Sequence, residues 1–226
     1  MLIQFVFSMA LLIASGSNME INGDFVEAGA AYQEENDSSG EVRILSRFLE
    51  EALYSGQNRH AYNLILILEL YPIDPGYFEY WYARLAWSCG ISEFACRRLD
   101  SLNADQWLKT RAAGLASQFR GNAELAVQYY RESWTSARTS RERYYSALDL
   151  SFALLQTGDY SEAEMIASFL AENFPGEGIP LIALGLIHYE QNRFGPAMTV
   201  LQSVFTGETY TATARTFAGM LLEDLE

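Results

Sequence analysis

The stretch that decides the fold runs from residue 157 to residue 163 and reads Thr157-Gly158-Asp159-Tyr160-Ser161-Glu162-Ala163. Apolar residues recur at helical spacing before it and again after it, so the glycine marks the end of one helix and the start of the next. Pro175 then ends the second helix, because proline cannot continue one. The stretch predicts two helices of roughly four turns each, joined by a tight turn.

The same turn recurs along the chain. A glycine or asparagine is followed five positions later by an alanine at Gly23/Ala28, Gly56/Ala61, Gly90/Ala95, Gly121/Ala126, Gly158/Ala163 and Asn192/Ala197. Six pairs in phase, at a period of about 34 residues, indicate an array of one repeated unit. We therefore predict an all-α chain with helix pairs near 42–73, 76–105, 107–140, 144–176 and 178–209, and a last helix near 210–225.

The alanines have a steric role in this interpretation. Two helices that pack closely need a small residue where they cross, so we expect Ala126 to lie against Gly114 and Ala197 against Gly185. The last helix should close the array with a polar outer face that includes Thr213, Thr216 and Glu223, because the terminal units of such arrays must be soluble on one side.

The turns resemble those of a known repeat family. Gly158-Asp159-Tyr160-Ser161-Glu162-Ala163 and Gly23-Asp24-Phe25-Val26-Glu27-Ala28, with small residues in the first helix and a terminal Pro175, are similar to the tetratricopeptide repeat. The resemblance covers about residues 20–226. It implies a right-handed α-solenoid of antiparallel helix pairs, with about five repeats and a C-terminal capping helix, similar to bacterial envelope repeat proteins.

The N-terminus predicts export. Residues 1–16 combine an apolar run, Leu2 to Ile13, with the small residues Ala14, Ser15 and Gly16, which is typical of a secretory signal peptide. We expect a periplasmic or secreted protein, an acidic segment with one unpaired helix over 17–41, and the repeat domain over 42–226. Alternatively, residues 9–22 are the missing partner helix, and the protein is then cytoplasmic.

Composition and motifs exclude several function classes. A net charge of −14 disfavours nucleic acid and anionic membranes, which select basic surfaces. The chain has only His60 and His188, and no phosphate-binding or nucleophile motif, so we expect no enzyme activity, metal or cofactor. Adjacent carboxylates such as Glu50 and Glu51 diverge by about 100° on a helix, and we expect both to be solvated.

The two cysteines, Cys89 and Cys96, leave two alternatives open. Packing Ala95 against Ala83 offsets the thiols by roughly 10 Å along the helices, which is too far for a disulfide. We therefore expect two buried free thiols, and a bridge only if the helices pack one turn out of this register.

The resemblance implies a binding surface. In tetratricopeptide arrays the first helix of each pair lines a concave groove, and the corresponding positions here are Tyr77, Tyr80, Arg84, Trp87, Arg111, Phe119, Tyr145, Phe152 and Tyr189. Aromatic and arginine side chains often dominate interface energy. We expect a scaffold that binds an apolar or aromatic protein segment, with a carboxylate meeting Arg84 and Arg111.

Two other functions stay open. One is an accessory subunit of an outer-membrane assembly or cell-division complex. The other is an enzyme acting on envelope glycans, for which Glu50 and Glu190 are the available groove carboxylates.

Overall fold

The computed structural model describes residues 38–225, and these form eleven α-helices and no strand. The helices are α1 Ser38–Tyr54, α2 Asn58–Leu68, α3 Pro75–Ser88, α4 Ser92–Asp100, α5 Gln106–Phe119, α6 Ala123–Ser136, α7 Ser140–Thr157, α8 Tyr160–Asn173, α9 Ile179–Glu190, α10 Phe194–Thr206 and α11 Ala212–Leu225. The prediction of an all-helical chain is confirmed for this range. The predicted signal peptide, the Gly23/Ala28 turn and most of the acidic segment lie outside the described residues.

All five repeated turns in this range have the backbone conformation that the sequence predicts. Gly56, Gly90, Gly121 and Gly158 have φ between 69° and 81°, and Asn192 has φ 60°. In each turn the N–H of the following residue donates to the carbonyl five positions earlier in the helix, for example Asp159 N to Leu154 O at 3.0 Å. These bonds are Schellman motifs, in which a left-handed residue ends the helix.

The five-residue spacing between turn glycine and alanine follows from this geometry. The residue after the glycine takes part in both helices. Its N–H donates the last hydrogen bond to the first helix, and its carbonyl accepts the first hydrogen bond of the second helix. Ala163 N, for example, donates to Asp159 O at 3.1 Å, and Ala126 N donates to Asn122 O at 3.1 Å. The alanine is thus the first residue of each second helix whose N–H is bonded within that helix.

The five alanines of the described turns are fully buried. The atoms nearest to Gly114 and Gly185 belong to a large side chain four residues after the alanine of the facing helix. A Cβ built on Gly114 would lie 2.7 Å from Tyr130 Cε1, and one built on Gly185 would lie 2.7 Å from Leu201 Cγ. The glycines therefore make room for a large side chain four residues after the alanine, Tyr130 in one pair and Leu201 in the other.

Consecutive helices contact each other all along the described chain, from α1 with α2 to α10 with α11. The first helices of the units also contact one another in the order α3, α5, α7, α9 and α11, so they form an inner row. The first and last described helices, α1 and α11, touch as well. Each unit of an open helical array contacts only its neighbours, so this chain closes on itself.

The closure corrects one prediction about the last helix. Thr216 and Glu223 are exposed as expected, but Thr213 is only 3% exposed, because the start of α11 packs on the first unit. The cysteines give a similar mixed result. Both thiols are free, as the register predicts, but neither is buried as expected: Cys89 is exposed because it caps the end of α3, and Cys96 is partly exposed.

No helix of the described range is both long and apolar enough to span a bilayer.

Candidate functional site

Four charged side chains meet inside the inner row. Glu50 comes from α1, Arg84 from α3, Arg111 from α5 and Asp149 from α7, and we call these four residues the interior ion network. Arg111 Nη1 and Nη2 lie 3.1 Å from Glu50 Oε1 and Oε2, and Arg111 Nε lies 2.6 Å from Asp149 Oδ2. Arg84 Nη1 lies 2.6 Å from Glu50 Oε2. The two cations and two anions balance one another.

Aromatic side chains surround this network. Trp81 Nε1 donates to Glu50 Oε1 at 2.9 Å, and the Tyr54 hydroxyl donates to Asp149 Oδ1. The Arg111 guanidinium carbon lies 4.7 Å from the Tyr80 ring centre and 4.9 Å from that of Tyr145, within range of cation–π attraction. Buried charges are stable only when they are paired and hydrogen-bonded in this way.

The network holds Glu50 ionised. Burial alone would raise the pKa of Glu50, but the charges of Arg111 and Arg84 outweigh burial and hold that pKa below its ordinary value. Burial would likewise lower the pKa of Arg111, and the facing carboxylates of Asp149 and Glu50 raise it well above the usual value. The pKa shifts of Glu50 and Arg111 therefore both favour the charged forms, which is consistent with a structural role for the network.

The structure encloses four of the nine predicted groove residues. Tyr80, Arg84, Arg111 and Tyr145 are buried in or around the interior ion network. The carboxylates that meet the two arginines belong to the chain itself, so a partner could reach the guanidiniums only by displacing them.

The acids of the network were missed by the sequence interpretation. Glu50 was expected in solvent and is 3% exposed, because α1 joins the helices of the inner row. Asp149 offered a signal, since it is a lone acid inside the apolar run from Ala147 to Leu155. An acid in such a run needs a buried cation, and Arg111 supplies it.

The remaining predicted residues stay partly accessible. Trp87 and Phe119 stack with ring centres 4.0 Å apart and planes 3° apart, and they lie at the ends of α3 and α5. Phe152 stacks on Tyr54 at 5.8 Å, and Tyr189 near the end of α9 is 38% exposed. The structure thus brings Trp87 and Phe119 together.

An open cleft of about 320 Å³ lies beside the network, with Glu50 and Arg111 among its lining residues. We call it the aromatic cleft. It is lined by Val42, Arg43, Ser46, Glu50, Ile73, Tyr77, Trp81, Trp107, Arg111, Thr139, Arg141, Glu142 and Tyr145. Three predicted groove residues, Tyr77, Arg111 and Tyr145, belong to this lining. Trp81 and Trp107 also line the cleft and were not predicted. Trp81 directly follows Tyr80, and a shift of one residue turns a side chain by about 100°.

The rim of the aromatic cleft has a defined geometry. Thr139 and Glu142 form a capping box at the start of α7, which orders the backbone there. Arg141 Nη1 donates to Glu177 Oε1 at 2.6 Å, and its guanidinium carbon lies 5.7 Å from the Tyr145 ring centre. The lining contains three arginines and two glutamates, and two further acids, Asp149 and Glu177, pair with Arg111 and Arg141.

The described residues contain no group of three or more histidine, cysteine, aspartate or glutamate side chains that could hold a metal ion. Of the two carboxylates considered for glycan chemistry, Glu50 is buried against two guanidiniums and Glu190 is exposed at the end of α9. Burial lowers the pKa of both His60 and His188.

No protein-family model matches the chain, and no curated protein matches it significantly in sequence.

Proposed function

We propose that this protein is a non-catalytic scaffold of the tetratricopeptide-repeat type that binds a segment of a partner protein in the aromatic cleft. In this proposal the helix pairs are antiparallel and stack as a right-handed solenoid, and the apolar run of residues 2–13 directs export to the cell envelope. The observation that carries the proposal is the aromatic cleft itself, an open, aromatic-walled site with three arginines in its lining.

The walls favour an apolar or aromatic side chain from the partner. Tyr77, Trp81, Trp107 and Tyr145 line the cleft, where Tyr77 is partly exposed and the other three are buried. The ring of Tyr77 therefore offers a surface on which a partner side chain can pack at little cost in conformational entropy. The indole of Trp107 is held in place by its N–H bond to Ser146 Oγ at 2.8 Å. A rigid aromatic wall of this kind is preorganised for binding.

The rim favours a negative charge on the same partner segment. The side chain of Arg141 is 37% exposed, and its Nη1 donates to Glu177 Oε1 at 2.6 Å. A guanidinium offers five N–H donors, so Arg141 can also bind a carboxylate. Ligand sites commonly measure about 300–1,000 Å³, so a cleft of about 320 Å³ suits a short segment.

Site-specific photo-crosslinking in the native host tests the proposal. A crosslinking residue at position 77 should give one dominant partner adduct, identified by mass spectrometry. Filling the cleft with Ser46→Phe should remove that adduct, because Ser46 lines the cleft and is only half-buried. Circular dichroism should show that the variant keeps the fold.

Position 189 is the matched control, because Tyr189 is partly exposed and does not line the cleft. An adduct from position 189 that survives Ser46→Phe, with none from position 77, would contradict the proposal. The binding surface would then lie along the exposed ends of α3, α5 and α9.

A further inference from the structure

The first helix unit is fastened to the C-terminal part of the chain by three side chains. Arg47 Nη2 donates to Gly176 O at 2.9 Å, and Arg47 Nε lies 3.2 Å from Glu177 Oε2. The hydroxyl of Thr211 donates to Glu51 Oε2 at 2.6 Å, across 160 residues of sequence. Gln57 Nε2 donates to Thr213 O at 3.3 Å. We call these contacts the terminal clasp.

Two buried carboxylates share one cation at the centre of this clasp. Glu51 is 3% exposed and Glu177 is 6% exposed. Arg47 Nε lies 3.2 Å from Glu177 Oε2 but 3.7 Å from Glu51 Oε1, and Arg141 also binds Glu177. Glu51 Oε1 is buried without a hydrogen-bond partner. Arg47 thus lies closer to Glu177 than to Glu51, and Arg141 adds a second cation to Glu177, so Glu51 is the less compensated of the two anions.

The surroundings of Glu51 can be traced element by element. Arg47 and Glu50 lie on its own helix, Arg141 and Tyr144 come from α7, Glu177 from the segment between α8 and α9, and the uncharged hydroxyl of Thr211 from the start of α11. Burial raises the pKa of Glu51 to about 7, with Arg47 and Thr211 opposing burial and Glu177 reinforcing it. The carboxyl therefore changes its charge near neutral pH.

We propose that the contact between α1 and α11 is a pH-responsive clasp, closed when the Glu51 carboxyl carries a proton and loosened when that carboxyl ionises. A neutral Glu51 places no uncompensated charge beside Glu177, and its carboxyl oxygen still accepts a hydrogen bond from the Thr211 hydroxyl. An ionised Glu51 is better solvated when the clasp opens to water, because burying an unpaired charge is costly. This proposal is independent of the function assigned to the aromatic cleft.

The direction of the effect follows from linkage. The closed form holds the Glu51 proton to about pH 7, whereas in the open form the ordinary value of 4.5 applies, so opening is favoured as pH rises between these values. The open population should grow by roughly 30-fold between pH 5.5 and pH 8 and level off above about pH 7.

Hydrogen exchange measured by mass spectrometry tests the proposal without any ligand. After correction for the intrinsic pH dependence of exchange, the amides of α11 should lose protection by this factor, whereas those of α5 should not. Glu51→Gln imitates the protonated carboxyl and should make α11 protection independent of pH. Glu132→Gln, at an exposed position on α6, is the matched control and should behave as the native chain does.

Two further variants should move the pH midpoint of the change in α11 protection in opposite directions. Arg47→Gln removes the cation beside Glu51 and should raise the midpoint, whereas Glu177→Gln removes the competing anion and should lower it. The proposal is overturned if Glu51→Gln retains the native pH dependence, or if Arg47→Gln and Glu177→Gln shift the midpoint in the same direction. If Glu51→Gln does not fold, the comparison of Arg47→Gln with Glu177→Gln still tests the proposal.

Discussion

Glu50 and Arg111 face each other in the protein interior as a parallel, two-bonded pair, with both N–O distances at 3.1 Å across 61 residues of sequence. The pair joins α1 to α5, and Asp149 and Arg84 extend it to α7 and α3. A single carboxylate thus ties the first helix to the inner row. The space in which a partner was expected to meet Arg84 and Arg111 contains the chain's own acids.

Removing Glu50 should strongly destabilise the fold. Glu50→Ala leaves two buried guanidiniums short of a counterion, and breaking a buried pair typically costs about 3–5 kcal/mol. Urea unfolding followed by circular dichroism measures this loss. Glu132→Ala, at an exposed site, should change the free energy of unfolding by no more than about 0.5 kcal/mol. Equal effects of the two substitutions would contradict a structural role for the network.

The stability contributed by Glu50 should decrease in acidic solution. The pKa of Glu50 is lowered in the folded state, so the unfolded chain binds its proton first as pH falls. The stabilisation is fully present above the ordinary value of 4.5 and is lost as pH falls through the folded pKa. The difference in unfolding free energy between the native chain and Glu50→Gln should be constant from pH 5 upward and shrink in more acidic solution. A difference that grows on acidification would show the opposite shift.

Adding a side chain at a left-handed turn glycine should destabilise the fold through the backbone conformation alone. Gly158 has φ 80°, and a Cβ added there would meet no atom within 4 Å. Gly158→Ala should therefore cost about 1–2 kcal/mol from the left-handed conformation itself. Gly195→Ala is the matched control, since Gly195 is in the first turn of α10, has equally open surroundings and should gain about 0.5–1 kcal/mol. Thermal unfolding distinguishes the two signs.

The close helix crossing at Gly114 should reject any side chain. A Cβ there would lie 2.7 Å from the Tyr130 ring, which is fully buried and cannot swing away. Gly114→Ala should therefore cost about 1–3 kcal/mol through overpacking. Combining it with Tyr130→Leu should show coupling, because residues in contact are not additive. Additive losses in urea unfolding would show that the two positions do not press on each other.

The helices and their turns could be predicted from the sequence to within a few residues. The reason is that a Schellman turn followed by a helix start is local: the glycine, the cap and the alanine interact within six residues. Asn192 was recognised as a glycine substitute because asparagine also tolerates the left-handed conformation. Local chemistry of this kind leaves a signal at a constant spacing.

The site could be predicted only in part. Tyr77 and Tyr145 were identified among the lining of the aromatic cleft, but Trp81 and Trp107 were not. The resemblance predicted which helix of each pair faces inward, and it implied a groove that is open on that side. In the structure α1 contacts α11, a contact between elements at opposite ends of the described chain, and the chain's own acids face Arg84 and Arg111.

Glu50 and Glu51 show where the sequence stops being informative. The sequence by itself determined that both lie on a helix, about 100° apart and pointing in different directions. Only the tertiary structure decided that Glu50 meets two guanidiniums, which lower its pKa, and that Glu51 is buried beside Glu177, where its pKa rises to about 7. The partners of these two neighbours come from segments up to 160 residues away, and the charge that faces a carboxyl depends on which segment packs against it.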